Sequence, residues 1–226
     1  MVNEGDFVLL DYPGKTKEGK VFDTTSSEEA KKAGIFNEKA KYGPVLVVAG
    51  KKQVLPGLDD ALLTAVPAME KTVEVLPDKA FGTRNLELVK LVPIGRFKDQ
   101  HITPFPGMVL DFDGNMGKIS SVEGGRVSVD FNHPLAGQTV TYTFKIVKAF
   151  FTPAEKVQAI ASDAFPVGVT SQLVADAATF TADAAANKGA DFIVAKMRAI
   201  QMLLQYVPEI KKVVFNEEYT TPDNLA

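Results

Sequence analysis

Tyr12, Phe22 and Asp23 are the first residues whose types and spacing suggest a site. Gly5–Tyr12 alternates, with Val8, Leu10 and Tyr12 on one side and Phe7, Leu9 and Asp11 on the other. That pattern predicts a strand with one buried face. Pro13-Gly14 breaks it, Lys17-Glu18-Gly19 supplies a hairpin-type turn, and Lys20–Asp23 returns as a second strand. Tyr12 and Phe22 then lie near each other across the hairpin, with a carboxylate beside them. Asp23 also has an ordinary reading, as the cap of the Thr24-Thr25-Ser26-Ser27 turn, because Asp bonds local backbone N–H groups. The chemistry open to such a group is narrow. The chain has no cysteine, which excludes disulfides, thiol catalysis and cysteine metal sites. Its two histidines, His101 and His133, leave no histidine-rich metal site. His133 sits in a Gly/Pro turn, Asn132–Gly137, where a histidine usually bonds locally.

A second group follows in Val45–Leu62, VLVVAGKKQVLPGLDDAL. It starts as an apolar strand, turns at Gly50 and enters a short helix at Pro56, a residue suited to a first helical turn. Leu58, Ala61, Leu62 and Ala65 recur at helical spacing. A helix this short must be packed against something. It reads either as the floor of an apolar pocket or as ordinary core. Beyond a strand at Lys71–Leu76, the tight loop Pro77–Gly82 carries an aromatic, Phe81.

Other elements must position these groups. Thr24–Gly43 is polar and reads as an excursion off the sheet, with a short helix at Ser27–Ala33 capped by Ser27. Composition shifts at Thr83, and residues 84–106 hold three prolines and no long periodic element. Short strands follow at Met108–Phe112, Gly117–Val122 and Arg126–Phe131, joined by the turns Asp113-Gly114-Asn115 and Glu123-Gly124-Gly125. Val140–Phe150 then resumes a long alternating strand, with Val140, Tyr142, Phe144 and Ile146 on one face. A small β unit inserted into a larger sheet explains this order. From Thr152, a capped helix runs to about Ala164. Val174–Ala186 is ambiguous between helix and strand, with a lean to strand at Ala178–Ala182. Asp191–Val207 is a helix whose buried stripe is read as Ile193, Met197, Ile200, Leu204 and Val207, widened by Phe192, Ala199 and Leu203. That stripe reads as C-terminal core, with a dimer face as the alternative. Lys212–Glu217 is a strand, and residues after Tyr219 read as a frayed tail.

The apolar share of 46% and charged share of 23% are those of a globular chain with an ample core. A net charge of −3 gives no electrostatic case for nucleic acid. No apolar run approaches the ~20 residues of a membrane span. The charged start MVNEGDF and the lack of cysteine lead to a cytoplasmic expectation.

Taken together, Tyr12-x9-Phe22-Asp23, Val54-Leu55-Pro56-Gly57-Leu58, Ala80-Phe81-Gly82 and Tyr142 resemble the FKBP-type peptidyl-prolyl cis-trans isomerases. VLLDYPGKTKEGKVFDTT is similar to that family's first hairpin, VVAGKKQVLPGLDDAL to its pocket strand and helix, and PDKAFG to its aromatic loop. The interrupted layout, with NHPLAGQTVTYTFKIV after the insert, is similar to the SlyD-like branch and its inserted IF chaperone domain. The excursion and the extra C-terminal unit look most like the long archaeal members. The resemblance covers about residues 3–151.

It implies an α+β fold: an FKBP-like antiparallel half-barrel wrapped on a short helix. The domains would be 1–83 with 138–151 (prolyl isomerase), 84–137 (inserted, β-rich and IF-like) and 152–226 (C-terminal α+β). Carried over by position, the catalytic residues would be Tyr12, Phe22, Asp23, Leu55, Phe81 and Tyr142. Val45, Val47, Val54 and Leu58 would bind substrate, with Leu58 as the floor and Leu135 at the rim. Neither metal nor cofactor is implied. Partners would be unfolded or proline-containing polypeptides, not nucleic acid or membrane, with a homodimer through the C-terminal domain as a further option. The expected function is X-Pro isomerisation aided by client capture on the insert, the alternative being a holdase chaperone with a weak pocket. Family members that bind macrolide drugs tightly carry a tryptophan at the floor and an aromatic at the Val45 position, where this chain has aliphatics. Their loop tyrosine is Phe81 here, which removes a hydroxyl donor worth about 0.5–1.5 kcal/mol. SlyD-like relatives tend to have a His-rich metal-binding tail. This chain ends in TTPDNLA, so metal binding is not carried over.

Overall fold

The computed structural model describes residues 1–165, 167–183, 186 and 189–219. The expected frayed tail, after Tyr219, lies outside them. In chain order the elements are β1 (Phe7–Asp11), β2 (Pro13–Thr16), β3 (Val21–Thr24), α1 (Ser27–Ala33), β4 (Val45–Val48), α2 (Pro56–Leu62) and β5 (Glu70–Val75). Next come β6 (Val89–Pro93), α3 (Gly95–Lys98), β7 (Val109–Phe112), β8 (Asn115–Glu123) and β9 (Arg126–Asp130). The chain closes with β10 (Val140–Phe150), α4 (Pro153–Ala164), β11 (Val169–Val174), β12 (Ala177–Ala182), α5 (Ala190–Tyr206) and β13 (Lys212–Glu217). Among the described residues, no helix is long and apolar enough to cross a membrane. The fold is α+β, and it divides into two compact units, 1–74 with 141–226 and 75–140.

The first unit is built on a six-stranded sheet ordered β3-β2-β10-β1-β4, with β5 also paired to β10. The antiparallel β1–β10 pairing sets Phe7 opposite Phe150 and Asp11 opposite Lys145. The first strand breaks before Pro13-Gly14, as expected, and Pro13 then begins β2 in the same sheet. The interruption is confined to Tyr12, and Thr16 N–H closes the hairpin on the Lys20 carbonyl at 2.9 Å. On β10, Val140, Tyr142, Phe144 and Ile146 are all buried, as the alternation predicts. β1 is buried on both faces rather than one: Phe7 is wholly enclosed alongside Val8 and Leu10.

The second face of β1 is covered by the C-terminal residues. Phe7, Leu46, Val48 and Phe150 share one core with Val157, Ile160, Phe180 and Leu203. That core holds a mixed sheet, β11-β12-β13, in which β12 and β13 run parallel. Phe180 and Phe215 stack across it at 4.8 Å, with Phe165 tilted against Phe180 and edge-on to Phe215. α4 opens with a full capping box, Thr152 with Glu155. Lys156 ties α4 to the main sheet by donating to the Gly5 carbonyl at 2.9 Å and approaching Asp6 at 3.8 Å.

Other expectations are corrected here. Ser26, not Ser27, caps α1, accepting the Glu29 N–H at 3.3 Å. Strand β11, paired to β12, was not anticipated because its Thr-Ser-Gln residues carry a weak apolar signal. Of the stripe expected on α5, Phe192, Ala199, Leu203 and, just past the helix end, Val207 are buried, joined by Met202, while Ile193, Met197 and Leu204 are about half exposed or more. Two apolar stripes lie one residue apart on this helix. Periodicity detects both and cannot say which meets the sheet.

The second unit carries a four-stranded antiparallel sheet, β6-β9-β8-β7. Residues 84–106 hold no long element, as expected, but supply the short β6 and α3. Each is too short for its periodicity to register. Phe97, Ile119, Val127 and Val129 form the core, with Phe112 packed edge-on to Phe97. Leu86, Leu91, Phe105, Val109 and Met116 are exposed.

Candidate functional site

The site grows from the first hairpin. Thr25, buried at the end of β3, holds the backbone of Tyr12 from both sides. Its hydroxyl accepts the Tyr12 N–H at 3.0 Å, and its N–H donates to the Tyr12 carbonyl at 3.0 Å. The same hydroxyl donates to the Asp11 carboxylate. Tyr12 is thereby fixed where β1 gives way to β2. Its ring meets Tyr142 of β10 edge-on at 5.5 Å, and Phe22 of β3 meets Tyr142 edge-on at 5.8 Å. Gly14 makes this cluster feasible. A Cβ there would stand 2.8 Å from Tyr142 Cε1 and 2.9 Å from Phe22 Cζ, so only glycine lets the rings close over the strand.

Asp23 lies beside this cluster. The Tyr12 hydroxyl donates to its carboxylate, which also accepts the Thr24 N–H. Burial outweighs these two bonds and pushes the Asp23 carboxyl above the usual carboxylate range. Burial, with the nearby Asp23 charge, pushes both the Tyr12 and Tyr142 hydroxyls well above their ordinary value. Both tyrosines therefore stay protonated, and Asp23 is the acceptor of the Tyr12 hydroxyl. The Thr24 bond also realises the ordinary capping reading of Asp23 beside the site reading.

A cavity of about 280 Å³ opens on Tyr12, Phe22, Asp23 and Val45. Its other wall comes from the polar excursion: Ala30 of α1, Ile35 and Tyr42. Reading 24–43 as a mere excursion missed this. Tyr42 is stacked on Phe36 at 5.3 Å, and the Gly43 N–H closes the segment on the Thr25 carbonyl at 2.8 Å.

Tyr12, Val45, Val47 and Val54 line an adjoining cleft of about 510 Å³. Leu55 and Leu58 are at the start of α2, and Leu58 is buried. The helix is held there by Asp59, a residue that sequence reasoning passed over. Its two carboxylate oxygens accept the Gly50 N–H at 2.9 Å and the Lys52 N–H at 2.7 Å. The signal was an acid in a helical first turn just after a Gly-Lys-Lys turn. Gln53 adds to the lock by accepting the Val48 N–H at 2.8 Å.

Phe81 and Leu135 belong to the second unit. There Phe81 stacks on His133 at 4.5 Å, and His133 Nδ1 accepts the Leu135 N–H at 3.2 Å. His133 is a local hydrogen-bonder. Among the described residues, no group of three or more His, Asp or Glu side chains is placed to hold a metal ion. The first unit thus offers a recess that is aromatic at Tyr12, Phe22 and Tyr42 and polar at Asp23, Thr24, Asn37 and Lys41, able to seat a compact apolar ring next to an amide.

Residues 1–94 match the family of FKBP-type peptidyl-prolyl cis-trans isomerases, and residues 90–135 match the IF domain of FKBP26. A short-type peptidyl-prolyl cis-trans isomerase of Methanocaldococcus jannaschii is 33% identical over 65% of this chain and 92% of its own length. The FKBP-type 16 kDa peptidyl-prolyl cis-trans isomerase of Escherichia coli K12 is 31% identical over 57% of this chain and 84% of its own. The SlyD isomerase of Vibrio cholerae is 33% identical over 50% of this chain and 58% of its own.

Proposed function

The chain belongs to the FKBP-type peptidyl-prolyl cis-trans isomerases, and from that premise we propose that it turns X-Pro bonds of unfolded or partly folded polypeptides with the proline seated among Tyr12, Phe22 and Tyr142. One observation carries the assignment: the edge-on packing of Tyr142 on both Tyr12 and Phe22, with the Tyr12 hydroxyl on Asp23.

Rotation about an X-Pro bond is slow because it breaks amide resonance, at a barrier of about 18–20 kcal/mol. The twisted amide has a less polar carbonyl and a more amine-like nitrogen. A dry aromatic recess therefore disfavours the planar, dipolar ground state more than the twisted one. That is differential binding of the transition state, achieved by placement and desolvation. Leu55 stands where helix N–H groups have no intrahelical acceptor, so its N–H is the donor that holds a substrate carbonyl. Val45, Val47 and Val54 form the wall and Leu58 the floor. Asp23 orients Tyr12 and does no acid–base work. The parts given to Phe81 and Leu135 rest on the resemblance alone.

Client capture falls to the second unit, whose exposed Leu86, Leu91, Phe105 and Met116 suit an unfolded chain. Capture raises the local concentration of prolines without improving the pocket. The same apolar residues favour the second reading, a holdase whose pocket is weak. Refolding of a proline-limited substrate separates the two, using the full protein and a variant with residues 84–137 replaced by a short loop. The expected result is acceleration by both, stronger with the insert. No acceleration by the full protein removes the isomerase reading, and equal acceleration removes capture.

A further inference from the structure

The recess at Tyr12 adjoins a second cleft. Tyr12 and Val45 line both, and the cleft's far side is α5, a C-terminal helix with no part in the proposed chemistry. Arg198, Gln201 and Gln205 stand three and seven residues apart, on one exposed side of that helix, and all three line the cleft. Arg198 is the one charged side chain among the described residues lining it. It also lines the next cavity along, of about 710 Å³. There Lys41 is paired with Asp163 at 3.0 Å, and Asp191 stands two helical turns before Arg198. The cleft nearest Tyr12 is therefore electropositive through Arg198, with glutamines around it.

Its near side is a free strand edge. Among the described residues, β4 ends the sheet and pairs only with β1. Ala49 is turned inward, donating to the Asp6 carbonyl and accepting the Gly5 N–H, both at 2.9 Å. Val48 is turned outward, its N–H taken by Gln53. Antiparallel alternation then points the Leu46 N–H and C=O away from β1 as well. Leu46 lines both cavities that Arg198 lines. An outward backbone pair facing a single cation suits an extended chain bearing a negative side chain, through strand addition plus charge pairing.

We propose that the cleft between β4 and α5 is a second client subsite, where Leu46 takes an extended segment of the chain whose proline occupies the recess and Arg198 selects an acidic residue on that segment. This rests on the prolyl reading of Tyr12, Phe22 and Asp23 and extends it to sequence preference. The acidic residue lies a few positions from the proline, because strand spacing advances about 3.3 Å per residue along the edge.

The test uses the full protein and peptides of about twelve residues with one central X-Pro. Glu or Lys is placed singly at each nearby position on either side, and an all-Ala-flanked peptide serves as reference. At one or two positions on one side only, wild type is expected to favour Glu over Lys about fivefold in kcat/KM. The preference shrinks towards unity at about 0.5 M salt. Arg198→Gln is expected to level it and Arg198→Glu to invert it. Equal rates for Glu and Lys peptides at every position overturn the proposal, as does a preference that Arg198→Glu leaves in the same sense. If wild type fails to accelerate even the Ala-flanked peptide, the prolyl reading falls instead. The Glu-over-Lys ratio in equilibrium binding of the same peptides, with its inversion by Arg198→Glu, then decides the cleft on its own.

Discussion

Thr25 holds Tyr12 by two backbone hydrogen bonds of 3.0 Å each, one through its hydroxyl and one through its N–H. Thr25→Val keeps the shape and the N–H but leaves the Tyr12 N–H and the Asp11 carboxylate without the hydroxyl. The expected cost is about 1–3 kcal/mol in urea unfolding. Because the Tyr12 backbone is freed beside the recess, kcat/KM on a short prolyl peptide is expected to fall several-fold, with KM rising.

Gly14 is expected to be intolerant of a single methyl. In Gly14→Ala, the new Cβ meets Tyr142 and Phe22 at under 3 Å, so one ring must move. Overpacking of this kind costs about 1–3 kcal/mol. Thermal unfolding should show that loss, and peptide isomerisation should drop about tenfold in protein that remains folded.

Asp23 should leave a pH signature of unusual sign. Its folded carboxyl is raised above the ordinary value of about 3.9 by burial. Between the unfolded and folded pKa values, the folded state holds the proton and the unfolded state does not. Stability from this group is therefore fully present below the unfolded pKa and is lost as pH rises through the folded one. The stability of Asp23→Asn relative to wild type is expected to improve over that window and then level off. Chemical denaturation from pH 3 to 7 reads this out. A difference that moves the other way would mean that the carboxylate is favoured in the fold.

The two apolar stripes of α5 can be told apart by substitution. Leu203 is wholly buried in the core shared by the two sheets, so Leu203→Ala should cost about 2–5 kcal/mol. Met197 is 61% exposed, so Met197→Gln should fall within about 0.5 kcal/mol of wild type.

Much of this was legible in the chain because local rules and tertiary packing agreed. The alternation of Val140–Phe150, the capping box at Thr152 and Glu155, and Pro56 opening α2 all appear as read. So do Tyr12, Phe22 and Asp23, which a hairpin brings together over a short span. What was not legible depended on partners distant in sequence. Phe7 is buried only because the C-terminal core covers β1, and nothing within residues 5–12 encodes that cover. On α5 the expected stripe was partly misassigned for the same reason: Phe192, Ala199, Leu203 and Val207 are buried as read, but Ile193, Met197 and Leu204 are not. Gly14 looked like a breaker because its closeness to Tyr142 spans 128 residues of sequence. Asp59 and Thr25 were passed over because a buried polar side chain that caps backbone N–H groups looks, in sequence, like any surface acid or hydroxyl.

The central claim is that the recess at Tyr12, Phe22 and Tyr142 is where the prolyl bond turns. The most direct measurement is cis-to-trans isomerisation of a short X-Pro peptide by the full protein, wild type against Phe22→Ala, with folding of the variant verified by circular dichroism. The account predicts acceleration by wild type and a loss of about tenfold or more in kcat/KM for Phe22→Ala, about 1.4 kcal/mol or more of transition-state stabilisation. A folded Phe22→Ala protein that catalyses at the wild-type rate would contradict it.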